Sequence, residues 1–343
     1  MALLVVGGAA CSGTSQPHGE ATTSTGAAPS TTAVVSLSWS TPQHVDTALN
    51  GLADVSCPTP SFCVAVGATG PGTVGSAVVW NGTSWSSSTT QIFAQDTYNH
   101  VSCPSASFCV AGAPDGSALV WNGTSWSASP AIRWPNGADG ITDVDCASSA
   151  FCMALDEDGD VRTWNGTTWS LEYPMDGGQS VSCPTVTFCV TLDTNGNARV
   201  FNGSSFASPQ SIGSHGGGVT VSCPSPTSCL GLLPGAQYVV WNGASWSAPS
   251  PIGTVNSNST PAFIDRVSCP TANFCVATLS DGHVITWDGS SWSAPQSINA
   301  SLANFVGPAA DVRGLNLGLV SVSCPTASFC AAVGSDGDAM VGR

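Results

Sequence analysis

The sequence contains no lysine and only six arginines, and charged residues of either sign make up just 8% of its 343 residues. Set against 21 acidic residues, the arginines leave a net charge of -15. A chain with so little positive charge has no basic patch to neutralise phosphates, which excludes nucleic acids and anionic lipid surfaces as partners. The 42% of hydrophobic residues, with 12 tryptophans, exclude a disordered chain and predict a large folded core.

Long apolar runs are equally scarce, and the one at the N-terminus is short. Residues 1–10 read MALLVVGGAA, far fewer than the roughly 20 apolar residues that a membrane-spanning helix needs. Cys11 follows three small residues and opens a tract rich in Ser, Thr, Ala, Gly and Pro over 11–33, a composition typical of a flexible linker. Because no basic residue precedes the apolar run, we expect the native start to lie upstream.

This arrangement resembles a bacterial lipoprotein signal. The resemblance implies cleavage before Cys11, lipidation of that cysteine, and membrane attachment through it alone. An ordinary cleaved signal peptide is the alternative, and the protein is then secreted. Both hypotheses predict export, with a signal region at 1–10, a linker at 11–33 and one folded domain at 34–343.

From residue 54 onward one pattern recurs seven times: Val-Ser-Cys-Pro-x-x-x-Phe-Cys-Val-Ala, an Asp-Gly or Asn-Gly turn, and Val-x-Trp-Asn-Gly-x-Ser-Trp-Ser. The first cysteines of successive units lie 37 to 55 residues apart. That period matches the roughly 40 to 50 residues of a four-stranded propeller blade, whose strands we call a to d. In the second unit the predicted strands are 101–103, 108–112, 117–121 and 125–129.

The two ends of the chain indicate that the array closes into a ring. The seventh unit reaches only the end of strand c at Arg343, whereas Trp39-Ser-Thr-Pro-Gln-His-Val45 matches strand d of other units, such as Trp292-Ser-Ala-Pro-Gln-Ser-Ile298. The sequence therefore predicts an all-β fold: a seven-bladed β-propeller of four-stranded blades, whose closing blade is completed by the N-terminal strand.

Over residues 34–343 the chain resembles secreted bacterial propellers with a Cys-Pro-x-x-x-Phe-Cys repeat. Two cysteines that straddle the turn between strands a and b can meet across the hairpin, so the spacing favours disulfides over zinc. Fifteen cysteines then give seven local bridges and the single Cys11. The predicted pairs are Cys57 with Cys63, Cys103 with Cys109, Cys146 with Cys152, Cys183 with Cys189, Cys223 with Cys229, Cys269 with Cys275, and Cys324 with Cys330.

Two other repeated features have a structural and a functional interpretation. The paired tryptophans of strands c and d are either cross-strand aromatic pairs or sugar-stacking platforms, and repetition in every unit favours the structural role. The b-to-c turns of the third and fourth units carry alternating oxygen ligands that could bind calcium, although turn chemistry is the favoured explanation. The calcium hypothesis rests on Asp156, Asp158, Asp160, Asp193 and Asn195; no other cofactor is predicted.

Ligand binding is expected on one face of the ring. The a-to-b and c-to-d turns are nearly constant and share one face, which we call the constant-turn face. The b-to-c turns and the variable d-to-a connections share the other, the variable-loop face, and variable loops on a rigid scaffold commonly carry function. Trp134 beside Arg133 is a candidate stacking platform. The further candidates are Asp96, His100, Asp139, Asp143, Asp265, Arg266, Asp311 and Arg313.

These observations predict a monomeric, surface-tethered module that binds an extracellular protein or glycan. The alternative is a propeller glycoside hydrolase or lyase acting on extracellular polysaccharide, with two aspartates as its catalytic pair. No Gly-x-Ser-x-Gly motif occurs, and no cysteine other than Cys11 lies outside the repeat pairs. The sequence therefore offers no obvious nucleophile for covalent catalysis, and binding is the favoured function.

Peptide mapping of the unreduced protein should find the seven local cysteine links, because each pair keeps the same spacing. Links between blades, or free thiols throughout, would contradict the assignment.

Overall fold

The computed structural model describes residues 36–45, 49–69, 74–86, 90–93, 99–130, 132, 140–156, 158–170, 177–213, 218–253, 264–302 and 318–343. Within these ranges all regular secondary structure is β-strand. Val35–Arg343 form one compact unit.

Twenty-seven strands follow one another along the described chain. They are β1 (Gln43–His44), β2 (Leu49–Thr59), β3 (Phe62–Thr69), β4 (Val74–Trp80), β5 (Thr90–Phe93), β6 (His100–Ser105), β7 (Phe108–Gly112), β8 (Ala118–Trp121), β9 (Trp126–Ala128), β10 (Ile141–Ser148), β11 (Phe151–Asp156), β12 (Val161–Trp164), β13 (Gly178–Thr185), β14 (Phe188–Asp193), β15 (Asn197–Phe201), β16 (Gln210–Ser211), β17 (Thr220–Ser225), β18 (Ser228–Leu233), β19 (Gln237–Trp241), β20 (Ser250–Pro251), β21 (Ile264–Thr271), β22 (Phe274–Leu279), β23 (His283–Trp287), β24 (Gln296–Ser297), β25 (Leu319–Thr326), β26 (Phe329–Gly334) and β27 (Asp338–Gly342).

The strands form seven antiparallel sheets, each a meander that corresponds to one sequence repeat. Their orders are β2-β3-β4-β5, β6-β7-β8-β9, β10-β11-β12, β13-β14-β15-β16, β17-β18-β19-β20, β21-β22-β23-β24 and β25-β26-β27-β1. The a strands β2, β6, β10, β13, β17, β21 and β25 each contact the a strands of both neighbouring sheets, and β25 contacts β2. The contacts close a ring, which confirms the seven-bladed β-propeller.

The closing blade contains strands from both ends of the described chain, as predicted. Gln43 pairs with Ala339, and Trp39 forms a further bridge with Gly342. The backbone N–H of Ser38 donates to the carbonyl of Arg343 at 2.8 Å. Strand d of the seventh blade is thus supplied by the N-terminal segment.

The d strands are shorter than the sequence suggests. In the fourth to seventh blades each consists of one bridge at the aromatic residue and a two-residue strand further on. In the third blade the described residues give only the Trp164–Trp169 bridge beside three strands. Proline, for example Pro209 or Pro295, lies between bridge and strand and has no N–H to donate, so it interrupts the ladder.

All seven predicted disulfides are present, and each joins strand a to strand b of one blade. Their Cα–Cα distances are 3.9 to 4.1 Å. The observed bridges are Cys57 with Cys63, Cys103 with Cys109, Cys146 with Cys152, Cys183 with Cys189, Cys223 with Cys229, Cys269 with Cys275, and Cys324 with Cys330.

The cysteines of these bridges are part of the interior of the blades and not of a ligand site. The second cysteine of each pair lies on strand b and is at most 1% exposed: Cys63, Cys109, Cys152, Cys189, Cys229, Cys275 and Cys330. A cysteine held in a disulfide has no thiolate to offer a metal ion, so these fourteen residues do not bind zinc. Their role is to join the two inner strands of each blade.

The b-to-c turns also match the prediction. Gly116, Gly282 and Gly337 follow aspartates in these turns and have φ values of 76°, 84° and 85°. These angles lie in the left-handed region that glycine adopts without steric cost. The Asp-Gly pairs therefore form the tight turns that the repeat predicts.

The paired aromatics are structural. Trp121 and Trp126 pack with ring centroids 5.6 Å apart across strands c and d. The indole N–H of Trp80 donates to the carbonyl of Pro60 in the a-to-b turn at 3.1 Å. Trp80 also packs against Phe329 of the neighbouring blade, with centroids 6.4 Å apart. The aromatics therefore join the two kinds of turn on the constant-turn face and seal one blade against the next.

The residue between Val and Cys in each a strand connects neighbouring blades near the propeller axis. Its side-chain oxygen accepts a hydrogen bond from the backbone N–H of the first cysteine in the next blade. We call these six serines and Asp145 the serine ring. The donor–acceptor distances are 2.6 to 3.0 Å. The donor and acceptor residues are Cys103 and Ser56, Cys146 and Ser102, Cys183 and Asp145, Cys223 and Ser182, Cys269 and Ser222, Cys324 and Ser268, and Cys57 and Ser323.

Ser182→Ala should lower the free energy of unfolding by about 1–3 kcal/mol, because the buried N–H of Cys223 loses its acceptor. Denaturant unfolding measures the change. Ser245→Ala on an exposed turn is the matched control and should change stability by about 0.5 kcal/mol or less. Equal effects of the two substitutions would show that the ring bond contributes nothing.

Candidate binding site on the propeller axis

A second ring of residues lies two positions before the serine ring, nearer the variable-loop face. Side chains alternate along a strand, so both positions of each a strand share one side. We call this set the upper ring: Asp54, His100, Asp143, Ser180, Thr220, Arg266 and Ser321. Asp54, Asp143, Arg266 and Ser321 line a cavity of about 140 Å³ together with members of the serine ring.

Several upper-ring residues repeat the blade-to-blade hydrogen bond. Asp54 accepts from the N–H of Val101 at 2.9 Å, and Asp143 accepts from that of Val181 at 2.9 Å. Ser180 and Ser321 accept the corresponding bonds in their blades. His100 and Arg266, in the second and sixth blades, instead contact each other.

Arg266 forms a charged bridge across the axis. Its Nη1 lies 3.2 Å from Oδ1 of Asp143, and its Nη2 donates to Nδ1 of His100 at 2.9 Å. The side chains of Arg266, His100 and Asp143 are 22%, 18% and 6% exposed. Because Arg266 is on β21 while its partners are on β6 and β10, one side chain connects three blades.

The charges of the bridge follow from burial and from the neighbouring groups. Burial lowers the pKa of His100, and the positive charge of Arg266 lowers it further. The carboxylates of Asp143 and Asp54 raise this pKa, but their effect is smaller. Burial alone would lower the pKa of Arg266, but Asp143 and Asp54 outweigh it, so this pKa lies above its ordinary value. In the bridge, the guanidinium of Arg266 therefore lies between the carboxyl group of Asp143 and a neutral His100 imidazole.

Two aspartates near the bridge have raised pKa values. Burial raises the pKa of Asp145 to about 6, although the N–H of Cys183 and the hydroxyl of Ser102 donate to its carboxylate. Burial raises the pKa of Asp265 to about 7, against the attraction of Arg266. Both carboxyls therefore lose their protons closer to neutral pH than an ordinary aspartate.

A larger cavity, of about 360 Å³, opens where the second, third and fourth blades begin. We call it the loop-face cavity. The starts of β6, β10 and β13 line it together with b-to-c turn residues, so it belongs to the variable-loop face. Its lining residues are Asn99, His100, Pro114, Ile141, Thr142, Gly177, Gly178, Gln179 and Thr194. His100 connects this cavity to Arg266, which lines the cavity on the axis.

The fold brings together three of the candidate residues named from the sequence: His100, Asp143 and Arg266. Asp265 precedes Arg266 on β21 and is not among the residues that line the cavity on the axis. The other candidates, Asp96, Arg133, Trp134, Asp139, Asp311 and Arg313, lie outside the described residues.

Sequence reasoning missed Asp54 and Asp145, although the repeat contains a signal for both. Asp145 replaces serine in Val-Asp-Cys of the third unit. Asp54 stands two residues before the serine position of the first unit, as His100 and Asp143 do in theirs.

The proposed calcium ligands take part in turn hydrogen bonds. Asp156 accepts from the N–H of Asp160 at 2.7 Å, and Asp193 accepts from the N–H of Asn197 at 2.8 Å. Asp158 and Asn195 are exposed on their turns. In the part of the chain that the structure describes, no three His, Cys, Asp or Glu side chains are grouped as metal ligands. Calcium binding stays a prediction.

Comparison with known proteins supports the fold. No protein-family model and no curated protein matches the chain. Among solved structures, YCF48 bound to D1 peptide is similar with a TM-score of 0.62 and 12% identity, over 89% of this chain and 94% of that one. The WD40 β-propeller domain of Doa1 has a TM-score of 0.61 and 11% identity, over 85% and 93%. Identities this low establish a shared propeller fold only.

Among the described residues, no helix has the length and apolar character needed to cross a bilayer.

Asp145→Ser should stabilise the protein at neutral pH by an amount that shrinks as the pH falls. An unfolded aspartate has a pKa of about 3.9, whereas Asp145 in the folded protein has one of about 6. The folded state therefore holds the extra proton between these values, and its stabilising effect is lost as the pH rises through 6. Urea unfolding of both proteins from pH 4.5 to 7.5 measures the difference.

Asp288→Asn is the control, because it likewise restores the residue found in other blades. Hydrogen bonds from Ser290 and Ser291 lower the pKa of the exposed Asp288 to about 2. Its effect on stability should therefore be nearly flat over the same range. A difference between Asp145→Ser and the original protein that does not vary with pH would contradict the role of the buried carboxyl.

Proposed function

We propose that this propeller is a binding module that takes a segment of a partner protein into the loop-face cavity. The observation that carries the proposal is a cavity of about 360 Å³, lined by uncharged polar and apolar groups and located beside the charged bridge. Ligand pockets commonly measure about 300 to 1,000 Å³. The YCF48 structure holds a D1 peptide, so a propeller of this general shape can accept a peptide.

The charge of the chain restricts the partner. With a net charge of -15, the protein repels acidic segments at long range. The described lining of the cavity carries no carboxylate, guanidinium or ammonium group. A neutral or moderately basic protein surface that presents an uncharged group at the cavity is the ligand that suits both observations.

We further propose that the module acts outside the cytoplasm, tethered through Cys11 by the linker at 11–33. The seven disulfides support this location, since such bonds persist in oxidising compartments and are rare in the cytosol.

The hydrogen bonds of the axial carboxylates favour binding over the glycoside hydrolase or lyase alternative. Asp54, Asp143 and Asp145 each accept backbone N–H groups from a neighbouring strand. Such bonds hold each carboxylate in place and engage its oxygens with the scaffold, which suits a structural role better than proton transfer to a substrate.

The experiment places a photo-crosslinking amino acid at Thr194, which lines the loop-face cavity, in the full chain on cells. The same group at the exposed Ala244 on the constant-turn face is the control. We expect a discrete protein adduct at Thr194 and not at Ala244, and Thr194→Trp should abolish binding of the partner segment so identified. Adducts at Ala244 only would overturn the proposed site. Turnover of a polysaccharide by the full chain would overturn the proposed function.

A further inference from the structure

We propose that His100 determines ligand specificity in the loop-face cavity by donating a hydrogen bond from Nε2 to an uncharged carbonyl oxygen, and that Arg266 is the positioning residue that fixes this donor. The inference rests on the proposed function and names the chemistry that the site selects: a neutral amide group.

The tautomer of His100 follows from the chemistry of its partner. A guanidinium has five N–H donors and no acceptor, and it stays protonated in proteins. The contact of 2.9 Å between Nη2 of Arg266 and Nδ1 of His100 therefore requires a lone pair on Nδ1. The ring proton then resides on Nε2. An imidazolium is incompatible with this contact, since both of its nitrogens are donors.

The groups around the ring preserve the neutral form. Arg266 faces it from β21, Asp143 from β10 and Asp54 from β2. Burial and Arg266 disfavour protonation, and the two carboxylates oppose them without reversing the direction of the pKa shift. Asp143 orients Arg266 through the contact of 3.2 Å, so the donor on His100 depends on a chain of two contacts.

The other polar groups of the cavity suit an amide. Oε1 of Gln179 accepts from the N–H of Val219 at 3.1 Å, which leaves its amide N–H groups as donors. The hydroxyl of Thr142 donates to the carbonyl of Asp156 at 2.9 Å, so its lone pairs remain as acceptors. Asn99 and Thr194 add one amide and one hydroxyl. The cavity thus offers donors and acceptors without charge.

Charged ligand groups are disfavoured. A carboxylate at Nε2 of His100 would be repelled by Asp143, by Asp54 and by the net charge of -15, which together oppose the attraction of Arg266. An ammonium group would face the Nε2–H of His100, which is also a donor, and would be repelled by the guanidinium of Arg266 on the other side of the ring. A carboxamide or acetamido group avoids both conflicts. An Asn or Gln side chain or a backbone amide of a partner protein carries this chemistry, as does an N-acetylated sugar.

The first test reads the tautomer directly. Long-range ¹⁵N–¹H spectra of the full chain distinguish Nε2–H, Nδ1–H and imidazolium forms, and the exposed His44 provides a second imidazole in the same spectrum for comparison. We expect His100 to remain the Nε2–H tautomer from pH 8 to pH 6. In Arg266→Met, the pKa of His100 should rise, because the opposing cation is gone and the carboxylates remain. An Nδ1–H or protonated His100 at pH 6 in the unaltered protein overturns the inference.

The second test reads the ligand. The probes are N-acetylglycinamide, N-acetylglucosamine, acetate and ethylammonium, each titrated against the full chain while the His100 signals are followed. We expect shifts with one or both acetamido compounds and none with the ions. His100→Phe should weaken binding of the better probe by about tenfold, the effect of losing one neutral hydrogen bond.

The outcomes separate the inference from the proposed function. Binding of the sugar alone supports the role of His100 and contradicts a protein partner. Stronger binding of acetate, or no response to either acetamido probe, overturns the inference even if the partner protein still crosslinks at Thr194. His100→Phe with unchanged affinity also overturns it, provided that its circular dichroism matches that of the original protein.

Discussion

The structure depends on how the backbone N–H groups at the inner edge of each blade find hydrogen-bond acceptors. Strand a is paired with strand b on one side only, so the N–H groups on its other edge would otherwise be buried without acceptors. Here the side chain of one residue in the preceding blade accepts the N–H of the first cysteine, in all seven blades. The repeated serine of Val-Ser-Cys, replaced by Asp145 in the third blade, thus connects every pair of neighbouring blades, including the pair that closes the ring.

The candidate site arises where this pattern is interrupted. In the upper ring, four residues still accept a hydrogen bond from a backbone N–H of the next blade: Asp54, Asp143, Ser180 and Ser321. His100 and Arg266 instead contact each other across the axis. The rigid ring holds them at a fixed separation. A repeat protein can gain an asymmetric site in this way without changing the blades that carry it.

Much of the fold could be predicted from the sequence because its determinants are local or periodic. The Cys pairs and the turn glycines each lie in a short segment, and the match between the segments that begin at Trp39 and Trp292 is a repeat of one motif. The bridge could not be predicted, because Arg266 is far along the chain from both His100 and Asp143, and only closure of the ring brings them together. Asp145 could have been predicted as a candidate residue, since it replaces a repeated serine. The prolines before β16 and β24 also gave a local signal for the interrupted d strands.

Hydrogen exchange of the seven cysteine N–H groups in the serine ring tests the central claim most directly. If the ring is closed, all seven should exchange slowly, including Cys57, whose acceptor Ser323 lies in the last blade. Rapid exchange at Cys57 with slow exchange at the other six would show an open array, and would contradict both the closed propeller and the axial site built upon it.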